Sequence, residues 1–435
     1  MKVRLPFFFV LCLLVISCKT FEDATPTSRM SLVHFYGGTL SYEGVKAELD
    51  ADGGFIIIGN IRRSDFVSDL VVIKTNSQAQ MLWQKIFPSS SASDIKVTSD
   101  GYLIAGDSID YQPNPERISE LVNTRARLIK MDFNQTISHD LNKDATINVG
   151  SAAAPLISHI DFHGSGIALD NSGDIVLLGS FKSPEPSSLT NSFLSGIDPS
   201  TFTVKWVQTQ DLEKREYVNS RALHLSSTNN LLWATTSEQS SQSLTTGWLS
   251  IVYTGVGSNT TIKNNSKYGV NSPDHYYTGS DMQKSGIAFG VVGTFARVDN
   301  TNSNIYFVRV DNSGNIWGKA KYFDGINLAL SDSTASASED TGNAITGTQD
   351  GSFVIGGSML STPTNGNGGK DIVLIKVDAF GEFLWNRLIG GSGDEVVSSI
   401  RETGDGGLLV CGTNTVNGLS SIFLMKTDKN GELIN

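Results

Sequence analysis

The chain has 435 residues, with 33 Lys and Arg against 44 Asp and Glu, and the resulting net charge of -11 argues against nucleic acid or anionic lipid as a partner. Its three cysteines, Cys12, Cys18 and Cys411, are too few for a disulfide framework. Gly, Ser, Thr, Asn and Val are abundant and helix formers sparse, which favours strands and turns.

Lys2 and Arg4 precede an apolar run from Pro6 to Ile16. The run is too short to span a bilayer as a permanent helix, so residues 1–17 read as a signal peptide. The tetrapeptide Val15-Ile16-Ser17-Cys18 resembles the bacterial lipobox. That resemblance implies cleavage before Cys18 and acylation of its thiol, and two or three chains on one cysteine suffice for stable attachment. Cleavage would remove Cys12, leave Cys411 as a lone thiol, and take the charge from -11 to about -13 through loss of Lys2 and Arg4. An ordinary signal peptide and a buried N-terminal strand are the alternatives. Residues 18–30, polar with one Pro, read as a lipidated tether, and residues 31–435 as the folded domain.

From there the chain repeats. A turn followed by a short apolar strand ending in Gly and a small or polar residue recurs as DGGFIIIGN at 52–60, DGYLIAGD at 100–107, GDIVLLGS at 173–180, DGSFVIGGS at 350–358 and DGGLLVCGT at 405–413. Weaker copies, NNLLWATT at 229–236 and GIAFGVVGT at 286–294, make seven. Each is followed by an alternating strand that usually ends in a basic residue, one more residue and then Asp or Asn, as in DLVVIKTN at 69–76 and DIVLIKVD at 371–378. A polar turn and a strand with a central aromatic come next, placing Trp83, Trp206, Trp317 and Trp385 at one repeat position. A fourth strand, such as EVVSSIRET at 395–403, leads into the next turn.

Four short strands per unit that cannot bury its faces alone are the signature of a propeller blade. The chain stops at DKNGELIN, where an aromatic strand is due, and the domain begins with LVHFYGG, which matches FLWNRLIGG near the C-terminus. The expected fold is therefore all-β, a single propeller of seven four-stranded blades in which N- and C-terminal segments share one blade, a closure that removes open sheet edges. An open solenoid or two stacked sandwiches are the competing architectures. The repeat resembles β-propeller repeats of secreted and outer-membrane proteins of the Bacteroidota, most clearly from Ser352 to Leu433. The resemblance implies a propeller outside the inner membrane and no single activity.

Few motifs carry chemistry. In SHIDFHGSG, His159, Asp161 and His163 alternate along an extended segment and could converge on one cation such as zinc; a polar loop of solvent-facing or hydrogen-bonded histidines is the plainer reading. The turns DADGG at 50–54, DNSGD at 170–174, DNSGN at 311–315 and DKNGE at 428–432 are half calcium loops without the distant Glu, and read as tight turns. The repeated tryptophans should pack between blades, whereas Trp233 and Trp248 lie outside that position and either pack in the core or line a binding face. Cys411, within LLVCG, reads as a small inert hydrophobe. No catalytic or cofactor motif is recognisable, so no cofactor is expected and a non-enzyme is favoured over an enzyme.

These readings converge on an outer-membrane lipoprotein, facing the cell surface or the periplasm. It would be a binding or scaffold module for a protein partner of the envelope, with 132–165, 181–192, 255–280 and 358–370 as contact loops. The alternative is a glycan-binding protein or glycan-cleaving enzyme serving nutrient uptake, which would need exposed aromatics and, for cleavage, two carboxylates across the channel.

Overall fold

The apolar runs flanked by glycine turns form strands throughout. The computed structural model describes residues 33–112, 121–141, 161–182, 190–210, 216–217, 223–226, 228–240, 245–257, 260–270, 274–297, 302–324, 339–361 and 369–433. Within them the strands form five hydrogen-bonded sheets, and the eight- and ten-stranded ones each divide into two antiparallel units joined by one parallel bridge, Asp161 with Thr124 and Gly247 with Tyr276, which gives seven blades. Blade 1 runs from Tyr42–Leu49 to Met81–Phe87, blade 2 from Ser90–Thr98 to Ile137–Asp140, and blade 3 from Asp161–Leu169 to Val204–Gln210. Blade 4 runs from Leu223–Leu225 to Ile262–Tyr268, blade 5 from Asp281–Ser285 to Ile316–Phe323, and blade 6 from Asp340–Gly347 to Phe383–Ile389.

Blade 7 confirms the expected closure. Its first three strands are Asp394–Glu402, Leu408–Val416 and Leu419–Thr427, and its fourth is the N-terminal Val33–Tyr36, paired antiparallel with Val33 opposite Met425 and Tyr36 opposite Ile422. The Tyr36 hydroxyl donates to the Ala79 carbonyl of blade 1 at 2.6 Å, tying the shared blade to its neighbour.

The second strand of each blade is apolar at consecutive positions because both its faces are buried. Phe55, Ile57 and Ile61 pack toward blade 7 with Leu409, Ile422 and Leu424, while Ile56 and Ile58 pack toward blade 2 with Ile95, Ile104 and Ile129. Alternating side chains thus supply two different cores. Each remaining neighbouring pair, from blades 2 and 3 through blades 6 and 7, encloses its own apolar cluster. Cys411 and Trp233 lie fully buried in such clusters, and Trp248 is buried as well.

The glycine ending the second strand has a steric cause. The first strand of blades 1, 2, 6 and 7 carries a bulge, as at Gly44/Lys46 and Val397/Ser399. Beside it, a Cβ on Gly59 would lie 2.5 Å from the Glu43 carbonyl oxygen, and one on Gly412 2.0 Å from that of Val396. The polar residue after the glycine joins blades. Asn60, Asp107, Thr236, Thr294, Ser358 and Thr413 each accept a bond from a backbone N–H in or just before the first strand of the next blade, those of Ala92, Gly164, Gly279, Gly342, Val397 and Gly44. Such amides would otherwise be buried without partners.

The basic residue of the third strand serves the turn of its own blade. Lys74 reaches Asp50 and Asp52, Lys130 Asp100, Lys376 Asp350 and Lys426 Asp405. The following Asp or Asn closes the next turn: Asp378 Oδ1 accepts the amides of Phe380 and Glu382, and Asp428 Oδ1 those of Asn430 and Glu432. The aspartate-rich segments are therefore turns whose side-chain oxygens are occupied by backbone N–H groups.

Alternation of strand direction puts all first-to-second and third-to-fourth turns on one face of the disc. All second-to-third and fourth-to-first connections fall on the other.

Candidate functional site

The first strands touch one another in order around the axis. Counting from the paired glycine position of the second strand puts Glu48, Lys96, Ala168, His224, Gln283, Thr346 and Arg401 at one level. Two residues earlier stand Lys46, Asp94, Gly166, Asp281, Ala344 and Ser399. These short polar segments sit between apolar residues that hold the blades, so the axis collects the charge that the cores exclude.

The charges interlock. Lys46 bridges Asp94 of blade 2 and Glu48 at 3.0 Å, and Arg401 of blade 7 grips Glu48 through Nε and Nη2, at 3.1 and 3.0 Å from Oε1. Asp94 Oδ2 accepts the Ile167 amide of blade 3 at 2.8 Å, and Asp281 Oδ2 the Ile345 amide of blade 6 at 3.0 Å. In the same role, Ser399 Oγ accepts the Ala47 amide. The Lys46 and Asp94 side chains are sealed, at 3% and 2% exposure, while Glu48 and Arg401 keep 18% and 16%.

This setting drives the titrating groups apart. Burial pushes the Glu48 carboxyl up, but Arg401 and then Lys46 outweigh it and hold Glu48 well below the usual carboxylate range. Burial raises Asp281 against the opposing pull of Arg401. The Lys46 charge, then burial, lowers Lys96. His224 is pushed down to about 3, first by burial and then by Lys96, and its Nε2–H donates to the Met282 carbonyl of blade 5. The axis thus holds a firmly ionised carboxylate in blade 1 and, in blade 5, a carboxyl that burial pushes up, whose two oxygens accept the Met282 and Ile345 amides.

A second carboxylate pair lies off the axis between blades 6 and 7. A Cβ on Gly390 would meet Asp371 Oδ1 at 2.0 Å and Glu395 Oε2 at 2.7 Å, so both oxygens crowd one point. Burial first, then Asp371 and Asp394, raise Glu395, whose Oε2 accepts the Gly391 amide at 3.0 Å. Both residues are buried, so the pair belongs to the blade interface.

Of the residues singled out as metal ligands, His163 lies in the first strand of blade 3, with Nδ1 2.9 Å from Asp107 Oδ2 of blade 2. Asp107 Oδ1 accepts the Gly164 amide at 2.8 Å, so the imidazole sits on a residue that joins two blades. His159 and the side chain of Asp161 lie outside the described residues, as do Cys18 and the tether. Among the described residues no group of three or more His, Cys, Asp or Glu is arranged to hold a metal ion. Nor is any helix there long and apolar enough to cross a membrane.

The tryptophans stand opposite the basic position of the third strand, with Trp83 opposite Lys74 and Trp385 opposite Lys376. Trp83, Trp206 and Trp385 pack against clusters shared with the next blade, as expected. Trp317 differs: it is 47% exposed, with the Arg309 guanidinium 4.9 Å from its ring centre and 5.8 Å from that of Phe380.

The contact loops need adjustment. Segments 181–192 and 358–370 span second-to-third connections, but 132–165 and 255–280 include the turns and fourth strands Ile137–Asp140 and Ile262–Tyr268. The connection between Phe323 and Asp340 joins the same face and carries no distinctive motif. On that face, an open depression of about 340 Å³ is lined by Glu43, Asn60, Arg62 and the 64–68 hairpin.

No family model matches the chain, and no curated protein does. Among solved structures, it is similar to a protein of unknown function from Dyadobacter fermentans, at 8% identity over 91% of this chain and 97% of that one, with a TM-score of 0.49. It is similar to the β-propeller domain of the Trilobed protease from Pyrococcus furiosus, at 8% identity over 90% and 99%, with a TM-score of 0.43. Drosophila Plexin A in complex with Semaphorin 1b matches at 10% identity over 91% and 87%, with a TM-score of 0.44. The likeness is one of fold. Because the fold is shared with the propeller domain of a protease as well as with Plexin A, the preference for a non-enzyme is withdrawn. The chain is a closed all-β propeller, an architecture that serves as a protein-binding scaffold or as part of an enzyme.

Proposed function

We propose that this protein is a propeller lipoprotein of the outer membrane, anchored through acylated Cys18, that binds a protein partner of the cell envelope. The observation that carries the reading is the asymmetry of the two faces. First-to-second and third-to-fourth turns are short in nearly every blade and closed by their own Asp and Asn side chains, whereas the longest connections, between Asp140 and Asp161 and between Phe323 and Asp340, leave from the opposite face. Variable connections on a rigid scaffold are where recognition residues are carried. The test is a pull-down of tagged full-length protein from detergent-solubilised membrane, beside a variant with residues 325–338 replaced by a short Gly-Ser link. A stoichiometric partner lost in the variant supports the reading; recovery of the protein alone overturns it.

A further inference from the structure

The face with the tight turns has a feature that partner binding does not use. The N-terminal strand enters blade 7 with Val33 opposite Met425, two residues from Thr427 and the turn that follows it. The chain before Val33 therefore meets the disc at its tight-turn face. Fourteen residues, 19–32, separate Val33 from Cys18, and at full extension they span about 50 Å. A tether of that reach fixes the disc near a membrane without choosing which way it lies.

The two most exposed large apolar side chains among the described residues both lie on one face. On the tight-turn face, Ile287 is 75% exposed in the first turn of blade 5 and Phe380 69% exposed in a turn of blade 6. Trp317 and Phe133, less exposed, lie beside and within third-to-fourth turns of the same face. Arg309 lies against both Trp317 and Phe380 and donates to the Ala379 carbonyl at 3.1 Å, keeping a cation beside two aromatic rings. Blade 5 can spare Arg309 because its first turn, KSGIA, lacks the Asp that pairs with the equivalent lysine elsewhere. In blades 1, 2, 6 and 7 that pairing compensates the turn carboxylates. The first-turn carboxylates of those blades thus carry cations, and the same face adds exposed apolar side chains and the Arg309 guanidinium, groups that settle into the interface of a zwitterionic bilayer.

We propose that the tight-turn face rests on the lipid surface, so that the long connections and the partner they bind point away from the membrane. The inference depends on the anchoring of Cys18. Its test uses the full acylated chain in phosphatidylcholine vesicles and in detergent, with one added thiol, Ala379→Cys on the tight-turn face or Ser64→Cys on the other. Buried Cys411 stays silent. A water-soluble maleimide should label position 379 several-fold more slowly in vesicles than in detergent and position 64 equally in both. Equal labelling of both positions in vesicles that carry the protein overturns the orientation and leaves the anchor intact. An intact mass without acyl groups, together with failure to float with vesicles, overturns the anchor and the orientation with it.

Discussion

Blades 6, 7 and 1 and blades 3, 4 and 5 share one topology, yet only the first group keeps every repeat signal. Lys376, Lys426 and Lys74 each pair with the turn of their own blade. In blade 3 the third strand has no such lysine, and Lys205 of the fourth strand reaches Asp174 and Asp198 instead. In blade 4 the turn holds Asn230, bonded by Lys263. In blade 5 Arg309 turns to aromatic rings. What persists across both groups is the bond between blades, from Thr236 and Thr294 as from Thr413 and Asn60. Pairing within a blade can be rerouted; joining one blade to the next cannot.

The comparison can be broken at four points. Tyr36→Ala removes a buried ring and its bond to Ala79 from the shared blade, and should cost about 3–5 kcal/mol in urea unfolding, the range for large aromatic truncations. Gly412→Ala and Gly293→Ala force a Cβ to within 2.0 Å of the Val396 oxygen and 1.8 Å of the Thr278 oxygen. Each should cost about 1–3 kcal/mol or more, as overpacked cores do. A near-neutral Gly293→Ala would mean that the central blades tolerate what the terminal ones do not.

The third point is pH. The His224 pKa is lowered in the fold to about 3 from an unfolded value near 6.5, so its contribution is present above 6.5 and lost as pH falls through that window. The loss approaches about 1.4 kcal/mol per pH unit, and His224→Gln should flatten the acid limb of a stability–pH curve. An unchanged limb would place the acid sensitivity elsewhere. Smallest is the turn pair: Lys376→Met should cost about 0–1 kcal/mol, as exposed ion pairs do, and Arg309→Met no more. Thermal unfolding of both variants checks this. The acid range has a separate signature, because Asp405 is held near 2 against the upward push of burial by Lys426 and Thr403. That contribution is present above the ordinary carboxylate value and lost as pH falls toward 2.

Most of the architecture was legible because it follows from short-range signals repeated seven times. The glycine and the polar residue after it were visible as a pattern, although their reasons, a bulge carbonyl and a bond to the next blade, appear only once blades are neighbours. The ring of Glu48, Lys96, His224 and Arg401 was not read from the chain. Successive members are 48, 128 and 177 residues apart, each a polar residue shortly before a turn, which local pattern assigns to solvent. A closer alignment of KAELDADGG, DIKVTSDG and SSIRETGDGG would have put a charge at one repeat position. The partner of His163 was equally out of reach of local spacing, since Asp107 comes from another blade.

The shared blade also orders events in time. Among the described strands Val33–Tyr36 leaves the ribosome first, yet its partner Leu419–Thr427 is the last to follow. Until then blade 7 lacks an edge strand, and the apolar faces of Ile57 and Leu409 have no common core. Loop closure over such a separation is entropically slow, so sealing the ring should be the final and rate-setting step of folding. A chain truncated before residue 419 would be left as an arc with two unpaired edges, and its fate would be aggregation or proteolysis rather than a smaller propeller.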